Sequence, residues 1–398
     1  MPTPDHDAKP ATRVLGVAII GHSFMGRIHA EAWQTAPKFF ELGAAVRVVV
    51  VSGRDERATT EFADRFGIVD IETDWRAVLE RDDVDIVDIC VPGRLHADIA
   101  IAALAAGKHV LCEKPLANTL AEAEAMAAAA EAAGKRGVLS MVGFSYRRTP
   151  ALAYAKRLID DGRLGLIRHI RSQYLQDWIV DPDFPLVWRL QKDEAGSGAL
   201  GDIGAHIIDL AQFLTGQSIT AVGAVMETFV TSRPLPTASS GLSASAGDER
   251  GHVTVDDAAI VIARTDGGAL ATFEATRFAT GRKNALRIEI NGSLGSIAFD
   301  FERLNELEFA DGTLPDVEGG FRRILVTEPG HPYAGAWWPA GHGLGYEHLF
   351  VHQAKDFVDD IIRASTPSPS FADGLGVQRV LDAIERSARD SASWTSVN

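Results

Sequence analysis

GVAIIGHSFMGRIHA, residues 16–30, runs an apolar strand into a glycine turn and on into a helix. In a dinucleotide-binding turn the first glycine permits the tight bend and the second lets backbone approach a pyrophosphate. The third brings helix and strand into close contact. The helix N-terminus adds N–H donors and a positive partial charge. Gly21 and Gly26 stand at the first and third positions. Ser23 stands at the second, small enough for it and with a hydroxyl able to donate to phosphate. Phe24 and Met25 complete the turn. A plain strand–helix turn is the competing reading, and the pattern of the chain beyond the turn decides against it.

Short apolar runs alternate with helical patterns through the first 145 residues. RVLGVAII, AAVRVVVVS, DVDIVDICV, KHVLC and GVLSMVGF are continuous rather than alternating, as a parallel sheet covered on both faces requires. The helical segments between them give βαβ units with right-handed crossovers, hence a doubly wound α/β sheet over 13–145. One helix, TLAEAEAMAAAAEAAG, carries a capping box at Thr119 and Glu122 and stops at Gly134. From 146 to 398 the grammar changes to α+β. AVGAVMETFV, AAIVIARTD, GALATFEATRFA, ALRIEING and GSIAFDF are separated by DGG- and NGS-type turns and predict a large, mostly antiparallel open sheet. Residues 231–252, rich in Ser, Pro, Ala and Gly, read as a mobile excursion from it. Two closing helices, near 346–364 and 372–389, are placed to pack back on the first domain.

The totals exclude several classes. With 398 residues there is room for two domains with cores of their own. A net charge of −15 and no Lys/Arg run speak against nucleic acid and anionic membranes. Cys90 and Cys112, the two cysteines present, lie in apolar strand-like runs and provide neither a disulfide framework nor metal spacing. Residues 1–12 are polar and proline-containing, so a disordered tail is expected there. No apolar run approaches a membrane span, and a cytoplasmic location is expected.

The second strand ends in Ser52, Gly53 and Arg54, with Asp55 next. An acidic residue at this tip reads the ribose hydroxyls of NAD, and an arginine accommodates the 2′-phosphate of NADP. Arg54 over Gly53 leans the expectation toward NADP, with NAD read by Asp55 as the alternative.

CVPGRLHADIAIAALAAGKHVLCEKPLA, residues 90–117, combines with the upstream turn and with GSGALGDIGAHIIDL to give a specific resemblance. The chain resembles the glucose–fructose oxidoreductase/inositol dehydrogenase (Gfo/Idh/MocA) family over nearly its whole length, near the inositol 2-dehydrogenase and levoglucosan dehydrogenase members. Glu113, Lys114 and Pro115 follow the strand run KHVLC, at the carboxyl edge where open α/β sheets bind ligands. A lysine there is a compact cation able to stabilise the alkoxide that develops as hydride leaves. The resemblance implies that role for Lys114 and cofactor positioning by Glu113, with Val91, Pro92 and His96 on the same cofactor loop. Val91 and Gly93 stand where relatives often have Thr and Asn, which alters the contacts expected from that loop.

Asp202 and His206 are four residues apart, on one face if the helix has begun by then. Imidazole suits proton removal near neutrality, and a carboxylate beside it orients it or the substrate. The spacing alone also admits a core histidine with a helix-capping aspartate, or a metal pair extended by Asp209. The resemblance makes His206 the general base and Asp202 its partner at the substrate, with no metal. QYLQDWIVDPDFPLVWRLQKD, residues 173–193, mixes aromatics with polar groups in the way sugars are bound. Tyr174, Trp178 and Asp181 are candidate substrate contacts, as is Arg147 in FSYRR. Trp188 and Arg189 resemble a pair that reaches the cofactor or substrate in relatives, and the Trp/His-rich loop 331–348 is a candidate to reach a pocket or a subunit interface.

The expectation is an NAD(P)-dependent oxidoreductase acting on a secondary hydroxyl of a cyclic polyol or pyranose, assembled as a homo-oligomer through the C-terminal sheet. A cofactor-dependent glycosidase on the same fold and a non-catalytic nucleotide or sugar sensor are the alternatives. The sensor requires the lysine or histidine to be missing.

Overall fold

The computed structural model describes residues 14–240 and 243–398; the tail expected at 1–12 lies outside the described residues. Strands β1 (Val14–Ile20), β2 (Ala45–Ser52), β3 (Asp70–Glu72), β4 (Ile86–Ile89), β5 (His109–Cys112) and β6 (Ser140–Val142) form one sheet. Every pairing in it is parallel, in the order β3-β2-β1-β4-β5-β6. The order reverses between β1 and β4, which opens a crevice at the carboxyl ends of those strands. Continuous apolar sequence explains the burial: six of the seven β1 residues are enclosed.

Helices α1 (Phe24–Phe39), α2 (Glu56–Phe66), α3 (Trp75–Leu79), α4 (His96–Ala105) and α5 (Leu120–Gly134) cover its faces. Asp55 caps α2 by accepting from Ala58 N, and Gly67 ends that helix in the left-handed region at φ 63°. The capping box at Thr119 and Glu122 forms as the sequence requires.

Helix α6 (Pro150–Asp160) leads to β7 (Ile167–Leu175), short helix α7 (Lys192–Ala195), helix α8 (Ala205–Thr215) and β8 (Ile219–Glu227). β9 (Ser232–Ser240) and β10 (Ser243–His252) pair as an antiparallel ribbon. The excursion expected as mobile at 231–252 is therefore paired chain. It is fastened by Arg233, which donates to the carbonyls of Ile179, Asp181 and Phe184. A satellite core of Ile179, Leu186, Val187, Leu190, Val253 and Val255 lies at its base.

The second sheet adds β11 (Ala258–Thr265), β12 (Leu270–Thr276), β13 (Ala285–Gly292), β14 (Gly295–Asp300), β15 (Glu306–Asp311), β16 (Arg322–Leu325) and β17 (Thr395–Ser396). Its order is β16-β15-β14-β13-β7-β12-β11-β8-β17, antiparallel except where β7 meets β12. Burial alternates along β11, so one face holds the core and the other stays open. Helix α9 (Glu347–Arg363) packs on α1, and α10 (Phe371–Arg389) on α5 and β8. These contacts tie the end of the chain to its beginning and set the second sheet over the crevice of the first.

Candidate active site

A cleft of about 1090 Å³ runs from the glycine turn, past the tips of β2, β4 and β5, to β7 and the end of β12. Its floor is a cradle that only glycine allows. Gly21 has φ 107°, and a Cβ there would lie 2.6 Å from the Cys90 carbonyl oxygen. A Cβ on Gly26 would come within 2.1 Å of the Gly21 carbonyl oxygen, so Gly26 packs helix on strand beneath the cleft instead of lining it. Ser23 is the N-cap of α1, yet its hydroxyl makes no capping bond. That leaves a hydroxyl and the helix N–H groups facing the place a pyrophosphate takes in such turns. Phe24 and Met25 line the same end, with Ser52, Gly53 and Arg54 at the β2 tip. The residues fit a dinucleotide. Asp55 also reaches the cleft, while one of its carboxylate oxygens caps α2.

On the far side of the turn, Val91, Pro92 and His96 line the wall. The buried His96 ring lies between the carbonyls of Val91 and Pro115, at 2.9 and 3.0 Å, and fastens the two loops that flank the cleft. Glu113 follows β5 and accepts from His29 Nε2 at 3.1 Å; the other ring nitrogen of His29 meets Asp88 at 2.8 Å. His29 is enclosed, and although burial opposes its charge, Asp88 holds its pKa well above the ordinary value. A buried imidazolium thus fixes Glu113 from below.

Lys114 projects from the same turn and donates from Nζ to the Asp202 carbonyl at 2.7 Å and to Asp202 Oδ1 at 3.2 Å. Asp202 sits in a widened π-helical turn, Leu200–Gly204, and His206 in the first turn of α8. Such turns recur at functional sites because they re-aim side chains within a helix. Tyr146 stacks on the His206 ring at 4.3 Å and 16°, with the Phe144 edge beside it. His206 Nδ1 is buried with no hydrogen-bond partner among the described residues. Burial and then the Lys114 charge push the His206 pKa well below its usual value, with Asp202 opposing. Burial pushes the Asp202 carboxyl up, but Lys114, Arg277 and Arg189 outweigh it and hold the group ionised well below the usual range.

Residues 15–144 match the model of the oxidoreductase family with an NAD-binding Rossmann fold, and residues 152–298 match the GFO/IDH/MocA C-terminal domain. The chain is 44% identical to levoglucosan dehydrogenase of Pseudarthrobacter phenanthrenivorans, over 96% of this chain and 98% of that one. It belongs to the GFO/IDH/MocA oxidoreductase family. An oxidoreductase domain protein from Kribbella flavida superposes with a TM-score of 0.93 at 59% identity, covering 97% of this chain and 100% of that one. A levoglucosan dehydrogenase solved with NADH and levoglucosan superposes at 0.90 with 42% identity, covering 97% and 100%. The chain is therefore an NAD(P)-dependent oxidoreductase of the family's sugar-dehydrogenase kind.

Within this GFO/IDH/MocA site, Tyr174 and Trp178 line the cleft, as does Arg189, whose guanidinium lies over the Trp188 ring. Two expected substrate contacts are corrected. Arg147 is buried away from the cleft and binds Asp209 through Nε at 2.8 Å and Nη2 at 2.5 Å, with Ser368 on Nη1. Its neighbour Tyr146 faces the cleft instead, because adjacent residues of the tight turn Ser145–Arg148 point apart. The same pair removes Asp209 from any metal set. Asp181 is exposed outside the cleft, its carboxylate accepting from Asp183 N.

The sequence reading missed a polar chain along the substrate end. Trp178 Nε1 donates to Gln176, and Gln176 Nε2 to Asn284 Oδ1. Tyr174 donates to the same oxygen at 2.6 Å. Since that hydroxyl has one proton, the 2.7 Å bond between the two tyrosines is donated by Tyr146. Asn118, another missed cleft residue, donates to the Glu194 carbonyl and leaves Oδ1 buried without a partner among the described residues. Arg277 also lines the cleft. No local motif marks these residues. Among the described residues, no helix is long and apolar enough to cross a membrane.

Proposed function

We propose that the chain oxidises a secondary hydroxyl of a cyclic polyol or pyranose, with an anhydropyranose such as levoglucosan as first candidate, and uses NAD. The observation that carries the reading is the convergence of Lys114, Asp202 and a neutral, buried His206 at the end of a dinucleotide cleft. The similarity to levoglucosan dehydrogenases supports the substrate class. When bound, the nicotinamide supplies the acceptor for the carbinol hydrogen and its electron pair.

The protein's own residues do the rest. Two of the three Lys114 N–H groups are committed to Asp202, which leaves one for the substrate oxygen. That donor stabilises the negative charge growing on the oxygen. His206 takes the hydroxyl proton, its depressed pKa keeping the imidazole neutral and able to accept it. The Trp178–Gln176–Asn284–Tyr174 chain presents fixed donors and acceptors to the other hydroxyls. The product is a ketone, with one proton on the protein and a reduced cofactor.

NADP is the second reading: Arg54 lines the cleft at the β2 tip and Arg65 lines it from the last turn of α2, while Asp55 is engaged as a helix cap. The open face of the second sheet carries exposed Val225, Ile260, Ile262 and Leu270, which suits a second copy of the chain as partner. Light scattering at several concentrations tests that assembly. Absorbance at the reduced-nicotinamide band tests the activity, with NAD and NADP in parallel across cyclitols, pyranoses and anhydrosugars. Reduction with a member of the panel supports the reading and ranks the cofactors. Silence with cofactor binding intact overturns it, and release of an aglycone without net reduction shifts it to the glycosidase.

A further inference from the structure

Arg277 follows β12 and is completely enclosed, at 0% exposure. A guanidinium buried without partners carries the large desolvation cost of any unpaired buried ion. Here Nη2 donates to the Asp256 carbonyl at 3.3 Å, and Nη1 lies 3.5 Å from Asp202 Oδ2. Nε and Nη1 have no hydrogen bond within the usual limits among the described residues. The space is made for it: a Cβ on Gly198 would stand 2.9 Å from Arg277 Nη2 and 1.8 Å from the Asp256 carbonyl oxygen. Asp256 in turn accepts from Gly198 N at 2.7 Å and Leu200 N at 2.8 Å, at the entry to the turn that carries Asp202.

The two carboxylate oxygens of Asp202 are therefore divided. Lys114 holds Oδ1 from the first domain, and Arg277 faces Oδ2 from the second sheet. We propose that Arg277 is a positioning residue of the dehydrogenase: it fixes the Asp202 carboxylate, and Asp202 in turn aims the remaining N–H of Lys114 at the substrate oxygen. The inference rests on the dehydrogenase reading of the cleft. An arginine suits the task because its planar fork can meet a carbonyl and a carboxylate at once, in a fixed geometry. The other groups facing Asp202 do not duplicate it. Arg189 adds charge from the turn at 188–190, while His206, Tyr146, Tyr174 and Tyr346 are held neutral by burial.

The test is a double-mutant cycle of R277M and D202N, with R277K as the charge-preserving variant, each checked for fold by circular dichroism and for NADH binding by fluorescence titration. R277M is expected to lower kcat by about 10–100-fold, the loss typical of a misplaced reacting group. NADH affinity is expected to stay within about twofold, because no cofactor contact is removed. In the D202N background the same substitution is expected to cost no more than about twofold, since the carboxylate it acts through is gone. R277K is expected to retain at least tenfold more kcat than R277M, roughly the loss of one oriented contact. An equal fold-loss in both backgrounds makes Arg277 merely structural and overturns the proposal, as does an unchanged kcat in R277M. If D202N turns over too slowly to measure, or R277M does not fold, R277K decides: a loss as deep as that of Lys114→Met overturns it. Failure of the underlying reading is a separate result, seen as wild-type protein that binds NADH but reduces no NAD(P) with any sugar.

Discussion

Substitution of Lys114 by methionine isolates its charge with little change of volume. Lys114 Nζ makes two contacts, both to Asp202, and the turn that carries it is held independently by His29 through Glu113 and by His96 through Pro115. The fold and the cofactor cradle are therefore expected to survive. What disappears is one preorganised charged donor to a developing oxyanion, typically about 2.7–4 kcal/mol, or 100–1000-fold in kcat. A second effect comes from the Lys114 charge beside His206. That charge depresses the imidazole pKa, so its removal raises it, and the acid limb of the pH–rate profile moves toward neutrality. The assay is steady-state NADH formation from the best sugar of the panel between about pH 5 and 10, with NADH affinity measured by fluorescence. A kcat within tenfold of wild type refutes the reasoning. So does an acid limb that moves to lower pH, because the electrostatic sign is then wrong.

His206→Gln removes the proton acceptor and is expected to lower kcat by about 100–10,000-fold while abolishing the acid limb; a surviving limb assigns the base elsewhere. Gly21→Ala places a methyl group 2.6 Å from the Cys90 carbonyl at φ 107°, so NADH affinity should collapse. Normal NADH titration of that variant counts against the cradle. Arg147→Met strands the buried Asp209, and urea unfolding should show a loss of about 3–5 kcal/mol. The folded protein should keep its kcat, and a selective loss of kcat returns Arg147 to the substrate site.

The sequence determined the order of the long apolar strands and of the main helices, and with it the parallel sheet, because burial on one or both faces repeats with a short local period. The Gly21 bend, the capping box at Thr119 and the position of Lys114 after a buried strand are equally local, each set by residues within one turn of chain. Asp202 and His206 were legible for the same reason, being one helical turn apart. The tertiary structure alone decided which long side chains meet. Lys114 and Asp202 touch across 88 residues, and Arg147 was drawn into the core by Asp209 while Tyr146 beside it took the cleft. Tyr174, Asn284 and Arg277 converge from three different strand ends that only the order of the second sheet brings together. Periodicity fixes which face of an element is buried. It carries no information about which element will cover that face, and a polar side chain acquires its partner, and hence its protonation state and its role, only when that neighbour arrives.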